Sequence, residues 1–576
     1  MKFTESPVLA PRFPVWRSRF VLALLAGAFL ALTGRAVYLQ ALNNDFLQAK
    51  GESRYSRVIE IPANRGRILD RNGEALAVST PVKSIWAIPD DVIMNAQQLG
   101  RLAELLEMPK GEIGKRLSGA ERDFAYLKRQ IPPAAADAVA ALKIPGLYQT
   151  REYRRYYPGG DVMAHVLGFT GTEDVGQEGI ELSFQAQLAG KPGSRRVIKD
   201  RLGRIVEDVE SIREAQEGKD VVLALDSRIQ NVAYVQLKAA LETHRAKGGG
   251  IVVVDVTTGE VLALVNLPAY NPNNRAKLSG GSLRNRAVTD EFEPGSTLKP
   301  FTIALALDQG KLVPTTVIQT APGSLTIGSA TIRDAHPHGP LTVEQVIQKS
   351  SNVGSAKIAL GMPPAVMWDL FAGVGFGTSP KLGFPGEANG KLRAYKTWKP
   401  VEQATMSYGH GIAVSLIQLA RAYTIFARDG DMVPLSLTRV DMPVAGRQVI
   451  APQTARDVRR MLEMAVQTGG TAPRAQIMGY RVAGKTGTAH KLENGGYAPD
   501  KYVSSFVGFA PASNPRLVVA VMIDEPSAGK HYGGEVAAPV FARVIEGGLR
   551  ALGIAPDAPM KPIELPPAGA EIKESV

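Results

Sequence analysis

"GYRVAGKTGTA", residues 479 to 489, fits two incompatible structures. Its opening matches G-x-x-x-x-G-K-[ST], a loop that cradles nucleotide phosphates when a strand ends at the first glycine and a helix begins at the Lys-Thr. Such a loop aims several backbone N–H groups inward, which calls for small residues in a tight nest. Here the interior is Tyr480, Arg481, Val482 and Ala483, bulky and inclined to extend. After Lys485 comes "TGTAHKLENGG", with β-branched residues and glycines where a helix wants Ala, Leu or Glu. The run from Tyr480 to Ala489 is therefore expected as one exposed strand, not a phosphate loop. Lys485, Thr486 and Thr488 then offer one ammonium and two hydroxyls to a carboxylate lying alongside. Gly487 lets a ligand's backbone come close.

A partner chemistry lies upstream, in "EFEPGSTLKPFTIALALDQG" from Glu291. Pro294 and Gly295 precede an apolar run of helical spacing, which places Ser296 at a helix N-terminus. Lys299, three residues on, shares its face. Serine is a weak nucleophile until a base takes its proton, and lysine serves as that base only when burial or a second cation lowers its pKa. Lys485 is a candidate for the second cation. The same S-x-x-K spacing at Ser527 and Lys530 falls in the loop "DEPSAGKHYGG", with no helix to fix its geometry, and is set aside. A third piece is "QKSSNVG" from Gln348, flanked by helical patterns. Its Ser350 and Asn352 supply a hydroxyl to relay a proton and an amide to hold a peptide carbonyl.

The chain has 576 residues, room for two to four domains, with ordinary hydrophobic (45%) and charged (21%) content. Net charge is +12, but the basic residues are spread out. The densest run, "REYRRYYPGG" from Arg151, reads as a strand with a solvated face, so no nucleic-acid partner is expected. There is no cysteine, which excludes disulfides and thiolate zinc sites and leaves the compartment open. His336 and His338 in "DAHPHGP" lack a carboxylate–histidine pattern, so neither metal nor cofactor is expected.

Residues 1–19 carry Lys2, Arg12, Arg17 and Arg19 against Glu5 alone. Residues 20–42 are apolar apart from Arg35, long enough to cross about 30 Å of hydrocarbon. With no A-x-A-like cleavage site after them, they read as a membrane anchor with its amino end cytoplasmic and the rest exported. Arg35 must snorkel or meet another helix. Residues 43–219 form a mostly-β pedestal with hairpins at "ANRGRILDRNGEALAVS" and "GSRRVIKDRLGRIVEDVES", the first turning at Asn72-Gly73. Residues 220–553 start as a strand and a helix capped by Asp226. They continue into a hairpin turning at Thr258-Gly259 and end in a second hairpin, "YVSSFVGFAPASNPRLVVAVMID". Strands at both ends with helices between give an α+β domain with one sheet closed by its own termini. The Pro- and Ala-rich residues 554–576 are expected to be flexible.

The order S-x-x-K, S-x-N, K-T-G is the set found in penicillin-binding proteins and class A β-lactamases. With "RGRILDRNG", "RYYPGGDVMAHVLGFTG", "FEPGSTLKPF", "SYGHGIAVSLIQLARAY", "VAGKTGTAHK" and "GGEVAAPVF", the chain resembles the class B penicillin-binding proteins, most closely their septal, cell-division type. The resemblance covers nearly the whole chain. It implies a pedestal of the class B dimerisation type and a serine β-lactamase-like transpeptidase domain, an antiparallel sheet with flanking helices. It also implies a single-pass inner-membrane protein with a periplasmic catalytic domain.

The implied activity is that of a serine-type D-Ala-D-Ala transpeptidase that cross-links peptidoglycan stem peptides. Ser296 would attack, Lys299 act as base, and Ser350 and Asn352 assist proton return and donor placement. Lys485, Thr486 and Thr488 would bind the terminal carboxylate. The N–H groups of Ser296 and Thr488 would form an oxyanion hole, and β-lactams would trap the same serine. Tyr408, Tyr502 and Tyr532 are candidate cleft walls. A SEDS-type glycan polymerase and other divisome proteins are the implied partners. The rival readings are an elongation-type transpeptidase, a hydrolase sharing the motifs, and a non-catalytic divisome scaffold.

Overall fold

The structure is a computed structural model, described for residues 14–42, 56–118, 124–199, 205–275, 280–493, 495–563 and 574. A helix runs from Val15 to Val37 behind Pro14 and widens into a further turn over Tyr38–Leu42. It starts ahead of the expected Phe20 because Pro14, which cannot donate a helical N–H, stands at its N-cap. Among the described residues, Val15–Gln40 is the one helix long and apolar enough to cross a membrane, and none of its apolar window packs inside the protein. The Arg35 guanidinium lies 5.6 Å over the ring of Tyr38.

In the pedestal, Ser56–Ile61, Gly193–Lys199 and Ile205–Arg213 form a three-stranded antiparallel sheet. A second sheet is built on the long strand Ala75–Ala87, which pairs with Ile68–Leu69, Ala125–Ile131 and Leu147–Tyr156. Both expected strand pairs form, the turn of the second, residues 200–204, lying outside the described residues. The Asn72-Gly73 turn is held by Asp70, whose Oδ1 accepts the N–H groups of Asn72 and Glu74 at 2.8 Å. Val221–Val222 lies parallel to Ile68–Leu69, so the pedestal sheet takes a strand just beyond the expected boundary at 219.

The Arg151 run is the Leu147–Tyr156 strand, with Arg151, Arg154 and Tyr156 exposed. Arg155 turns inward instead. It donates to Glu181 Oε1 at 2.6 Å while Arg65 donates to Oε2 at 2.7 Å, all three side chains buried. Two arginines on one carboxylate join three pedestal segments far apart in sequence.

The second domain is organised on a five-stranded antiparallel sheet in the order Val261–Leu267, Gly248–Asp255, Leu517–Asp524, Gly496–Ala510, Ala483–Glu493. The chain's second hairpin thus docks against its first, closing the sheet from both ends as expected. Ile251, Val253, Val519 and Val521 face the helices Ser227–His244 and Ala538–Ala551. Val252, Val254, Val518 and Ala520 face a core containing helix Leu416–Ala427. Burial on both faces explains why "GIVVVD" and "LVVAVMID" are unbroken apolar runs rather than alternating ones. Asp226 caps its helix as expected. The domains interlock around it: Ser227 Oγ donates to Asp70 at 2.8 Å, Asn72 to Asp226 at 3.3 Å and Asn273 to the Tyr157 carbonyl at 2.9 Å.

Residues 554–563 do not conform to the flexible tail expected. Ile554 O accepts from Tyr480 Oη at 2.6 Å, and Asp557 accepts the Arg481 N–H at 2.7 Å and the Ser513 hydroxyl at 2.6 Å.

Removing the shared carboxylate leaves two guanidinium groups buried without their counter-charge. Glu181→Ala is expected to destabilise the fold by about 3–5 kcal/mol, read as a lowered denaturation midpoint. A loss below about 1 kcal/mol would show that the cluster contributes nothing.

Candidate active site

Ser296 sits on a tight helical turn, Gly295–Leu298, that runs directly into the helix Lys299–Asp308. Gly295 has φ +57°, a backbone state that disfavours other residues. The turn is held closely on two sides. A Cβ on Gly409 would come within 2.2 Å of the Gly295 carbonyl, and one on Gly487 within 2.7 Å of the Pro294 carbonyl. Thr297 Oγ1 closes the turn onto Pro294 O at 2.7 Å.

The helical turn stacks Lys299 beneath the serine, and the completely buried Nζ lies 2.8 Å from Ser296 Oγ. The same nitrogen meets the Ser350 carbonyl at 2.5 Å and the Ser350 hydroxyl at 3.0 Å. Burial lowers the Lys299 pKa well below its ordinary value, and the Lys485 charge lowers it further, against opposing pulls from Asp334 and Glu574. A neutral amine has two N–H donors and one lone pair. Three oxygen neighbours, two of them hydroxyls, suit it: the carbonyl takes an N–H and a hydroxyl proton points at the lone pair.

Ser350 is the break between helices Val343–Lys349 and Asn352–Leu360, with φ +57°. Asp334 shapes that break. Its carboxylate accepts from Ser351 Oγ at 2.7 Å and from the Val353 N–H at 3.0 Å. Asn352 Nδ2 donates to Arg333 O at 3.3 Å, which leaves Oδ1 buried without a partner. As placed, Asn352 presents an acceptor suited to a peptide N–H, where the sequence suggested a group that holds a carbonyl.

The lysine–threonine strand differs from expectation in three ways. It begins at Ala483, not Tyr480, because Arg481 is drawn to Asp557 and, through its guanidinium, to Glu463 at 2.8 Å. It is the edge strand of the sheet yet buried, with Lys485, Thr486 and Thr488 at most 1% exposed. Gly487 makes room for the protein's own backbone and not only for a ligand's, since a Cβ there would meet Ser505 Oγ at 2.5 Å as well as Pro294.

Lys485 Nζ lies 3.1 Å from Thr486 Oγ1, which in turn lies 3.1 Å from Thr471 Oγ1. Burial lowers the Lys485 pKa to about 8, with the Glu574 carboxylate pulling the other way. Thr488 Oγ1 accepts the Gly533 N–H at 3.0 Å and donates to Glu574 at 2.9 Å.

Ser296, Lys299, Ser350 and Lys485 therefore converge. The three tyrosines do not make one wall. Tyr408 is buried with its ring centre 6.0 Å from Lys299 Nζ and its edge against His410, whose pKa burial lowers to about 4 with help from the Lys299 charge. Tyr502 stacks on His531 at 4.0 Å, and His531 packs 4.3 Å from Tyr532, further along the sheet edge. Ser527, set aside above, is committed to Arg245 O at 2.8 Å, and Lys530 pairs with Glu535 at 3.4 Å.

Asp334 and Gly534 lie inside the quoted "DAHPHGP" and "GGEVAAPVF". Because neither they nor Thr471 belong to a spacing that by itself points to chemistry, all three escaped the motif reading. So did Glu293, which takes the Gly411 N–H at 2.8 Å and the Tyr497 hydroxyl at 3.0 Å. Among the described residues no group of three His, Cys, Asp or Glu side chains is arranged to hold a metal ion.

Comparison with known proteins matches the family model "Penicillin binding protein transpeptidase domain" to residues 249–546 and "Penicillin-binding Protein dimerisation domain" to residues 60–223. The chain is 44% identical over 560 residues to a probable peptidoglycan D,D-transpeptidase, PenA, of Neisseria gonorrhoeae, covering 96% of each. It is 42% identical over 552 residues to the peptidoglycan D,D-transpeptidase FtsI of Escherichia coli K12, covering 95% of this chain and 93% of the relative. The solved transpeptidase domain of Burkholderia pseudomallei penicillin-binding protein 3 shares 50% identity at a TM-score of 0.55, over 58% of this chain and 98% of that one. With these likenesses spanning both domains and the apolar helix ahead of them, the chain belongs to the penicillin-binding proteins as a membrane-anchored member with a dimerisation and a transpeptidase domain.

Proposed function

We propose that the protein is a septal peptidoglycan D,D-transpeptidase working through a Ser296 acyl-enzyme, and that β-lactams acylate the same serine. The observation that carries this reading is the 2.8 Å contact between Ser296 Oγ and the buried Lys299 amine. Relatives named as peptidoglycan D,D-transpeptidases support the substrate class. The septal role rests on the sequence resemblance.

In the reaction, Lys299 takes the Ser296 proton as Oγ attacks the carbonyl between two terminal D-alanines. The oxyanion is stabilised by the N–H groups of Ser296 and Thr488, where one such donor is worth roughly 3 kcal/mol. The bond to the leaving D-alanine breaks, and its nitrogen takes the proton back through Ser350. An amine from a neighbouring stem peptide then attacks the ester, giving its proton to Lys299, which passes it to Ser296 Oγ as the ester bond breaks, so that serine and neutral lysine are both restored. Asn352 accepts an N–H of the donor peptide. Lys485, Thr486 and Thr488 hold the terminal carboxylate over Gly487. Tyr408, Tyr502 and Tyr532 border the cleft.

The proposed organisation keeps residues 1–19 cytoplasmic and 20–42 in the inner membrane, followed by a pedestal to 219, the transpeptidase domain to 553 and a tail to 576. The domains beyond the anchor are periplasmic. Arg35, inside the anchor, is the point at which a SEDS-type glycan polymerase or another divisome protein would engage the helix.

Incubation with benzylpenicillin is expected to give an intact-mass adduct of one drug that is absent from Ser296→Ala. Lys299→Met should acylate about 10²–10⁴-fold more slowly. Rapid drug loss without an adduct would make the protein a hydrolase, and intact drug without an adduct would make it a scaffold.

Acylation requires neutral Lys299, so its rate should rise with pH through the lowered Lys299 pKa. Removing a neighbouring positive charge favours protonated Lys299 and raises that pKa. Lys485→Met should therefore move the rising limb of the pH–rate profile to higher pH, and Lys485→Arg by less. An unmoved limb in Lys485→Met would show that this charge does not tune the base.

A further inference from the structure

The carboxylate-binding strand already holds a carboxylate. Glu574, the third residue from the C-terminus in "EIKESV", is buried against it. Its Oε2 accepts from Thr488 Oγ1 at 2.9 Å and its Oε1 from the Gly534 N–H at 2.7 Å. Lys485 is the cation that faces it. Gly534 belongs to this seat: a Cβ there would come within 2.9 Å of Glu574 Oε1. An acidic side chain near a chain end normally stays in water, because a buried carboxylate is costly unless paired and hydrogen-bonded. Here one cation and hydrogen-bond donors offset part of that cost, while burial still holds the Glu574 pKa above its ordinary value. The cation and donors include the lysine and a threonine assigned above to the terminal carboxylate of the stem peptide.

We propose that the C-terminal tail is an intramolecular competitor, its Glu574 side chain seated where the donor peptide's terminal carboxylate binds. This rests on the reading of Lys485 and Thr488 as the substrate-carboxylate site. Glu574 must leave before a stem peptide or a β-lactam can align on Ser296. Ile563, the last described residue before it, is eleven positions away, a stretch that spans up to roughly 36 Å when extended. A short tether presents its end at an effective concentration of the order of millimolar. A carboxylate contact of millimolar affinity is then occupied half the time or more, which slows acylation while leaving the site open to abundant substrate.

The test uses the full-length chain in detergent beside Glu574→Gln and a chain ending at Ile563. Both variants are expected to acylate with benzylpenicillin about two- to tenfold faster than wild type. A synthetic peptide of residues 568–576 should slow the shortened chain competitively, and the same peptide with Gln at 574 should not. Hydrogen exchange at the Gly534 amide should be faster in both variants. Unchanged acylation together with unchanged exchange would overturn the proposal. Absence of an adduct in all three chains would sink the acyl-serine reading instead. The exchange result alone would then decide whether Glu574 sits in the site, faster exchange supporting it and equal exchange overturning it.

Discussion

The contact of the Lys299 amine with both oxygens of Ser350 joins two helical segments across 51 positions of sequence. Everything in the site is hung from it. A lysine with no access to water cannot keep its charge cheaply, so the packing that hides Nζ also supplies a neutral amine beside a serine hydroxyl. Structure and chemistry have one cause here. The left-handed Ser350, the Asp334 carboxylate behind it and the tight turn at Gly295 all serve to bring oxygens to that nitrogen.

The sheet provides the other half. Because the last hairpin docks on the first, the strand bearing Lys485 becomes an edge, and the Gly295–Leu298 turn packs along that edge at Gly487, where the Pro294 carbonyl and the Thr297 methyl leave no room for a side chain. The pedestal is joined through Asp70, Asn72, Asp226 and Ser227, side chains at a turn and a helix start, so the helix that supports the sheet is fixed to the pedestal at its first residues.

What could be read from residue order was what depends on local spacing. The Asn72-Gly73 turn, the Asp226 cap, both sheet hairpins and the i, i+3 stacking of Ser296 on Lys299 follow from short-range rules, and the structure contains each. The inward turn of Arg155 within a basic strand could not be read this way, because it answers to Glu181 in a separate segment. Nor could the start of the site strand at Ala483, set by Asp557 and Glu463, or the burial of an edge that looked open. The seat of Glu574 was hidden for the same reason: a tail rich in proline and alanine carries no local sign of where this carboxylate goes.

Gly487 bears on how such a protein can change over generations. Its missing side chain is the clearance between the sheet and the nucleophile turn, and interiors packed at crystal-like density do not absorb an added methyl without moving something. Any replacement there would shift the serine against the strand and so, on the proposed mechanism, harm the reaction with natural donor and drug alike. Variation that separates the two has to accumulate where a side chain can still be exchanged. The rim around Tyr502, His531 and Tyr532 is such a place, leaving the centre of the site as the part that selection cannot edit.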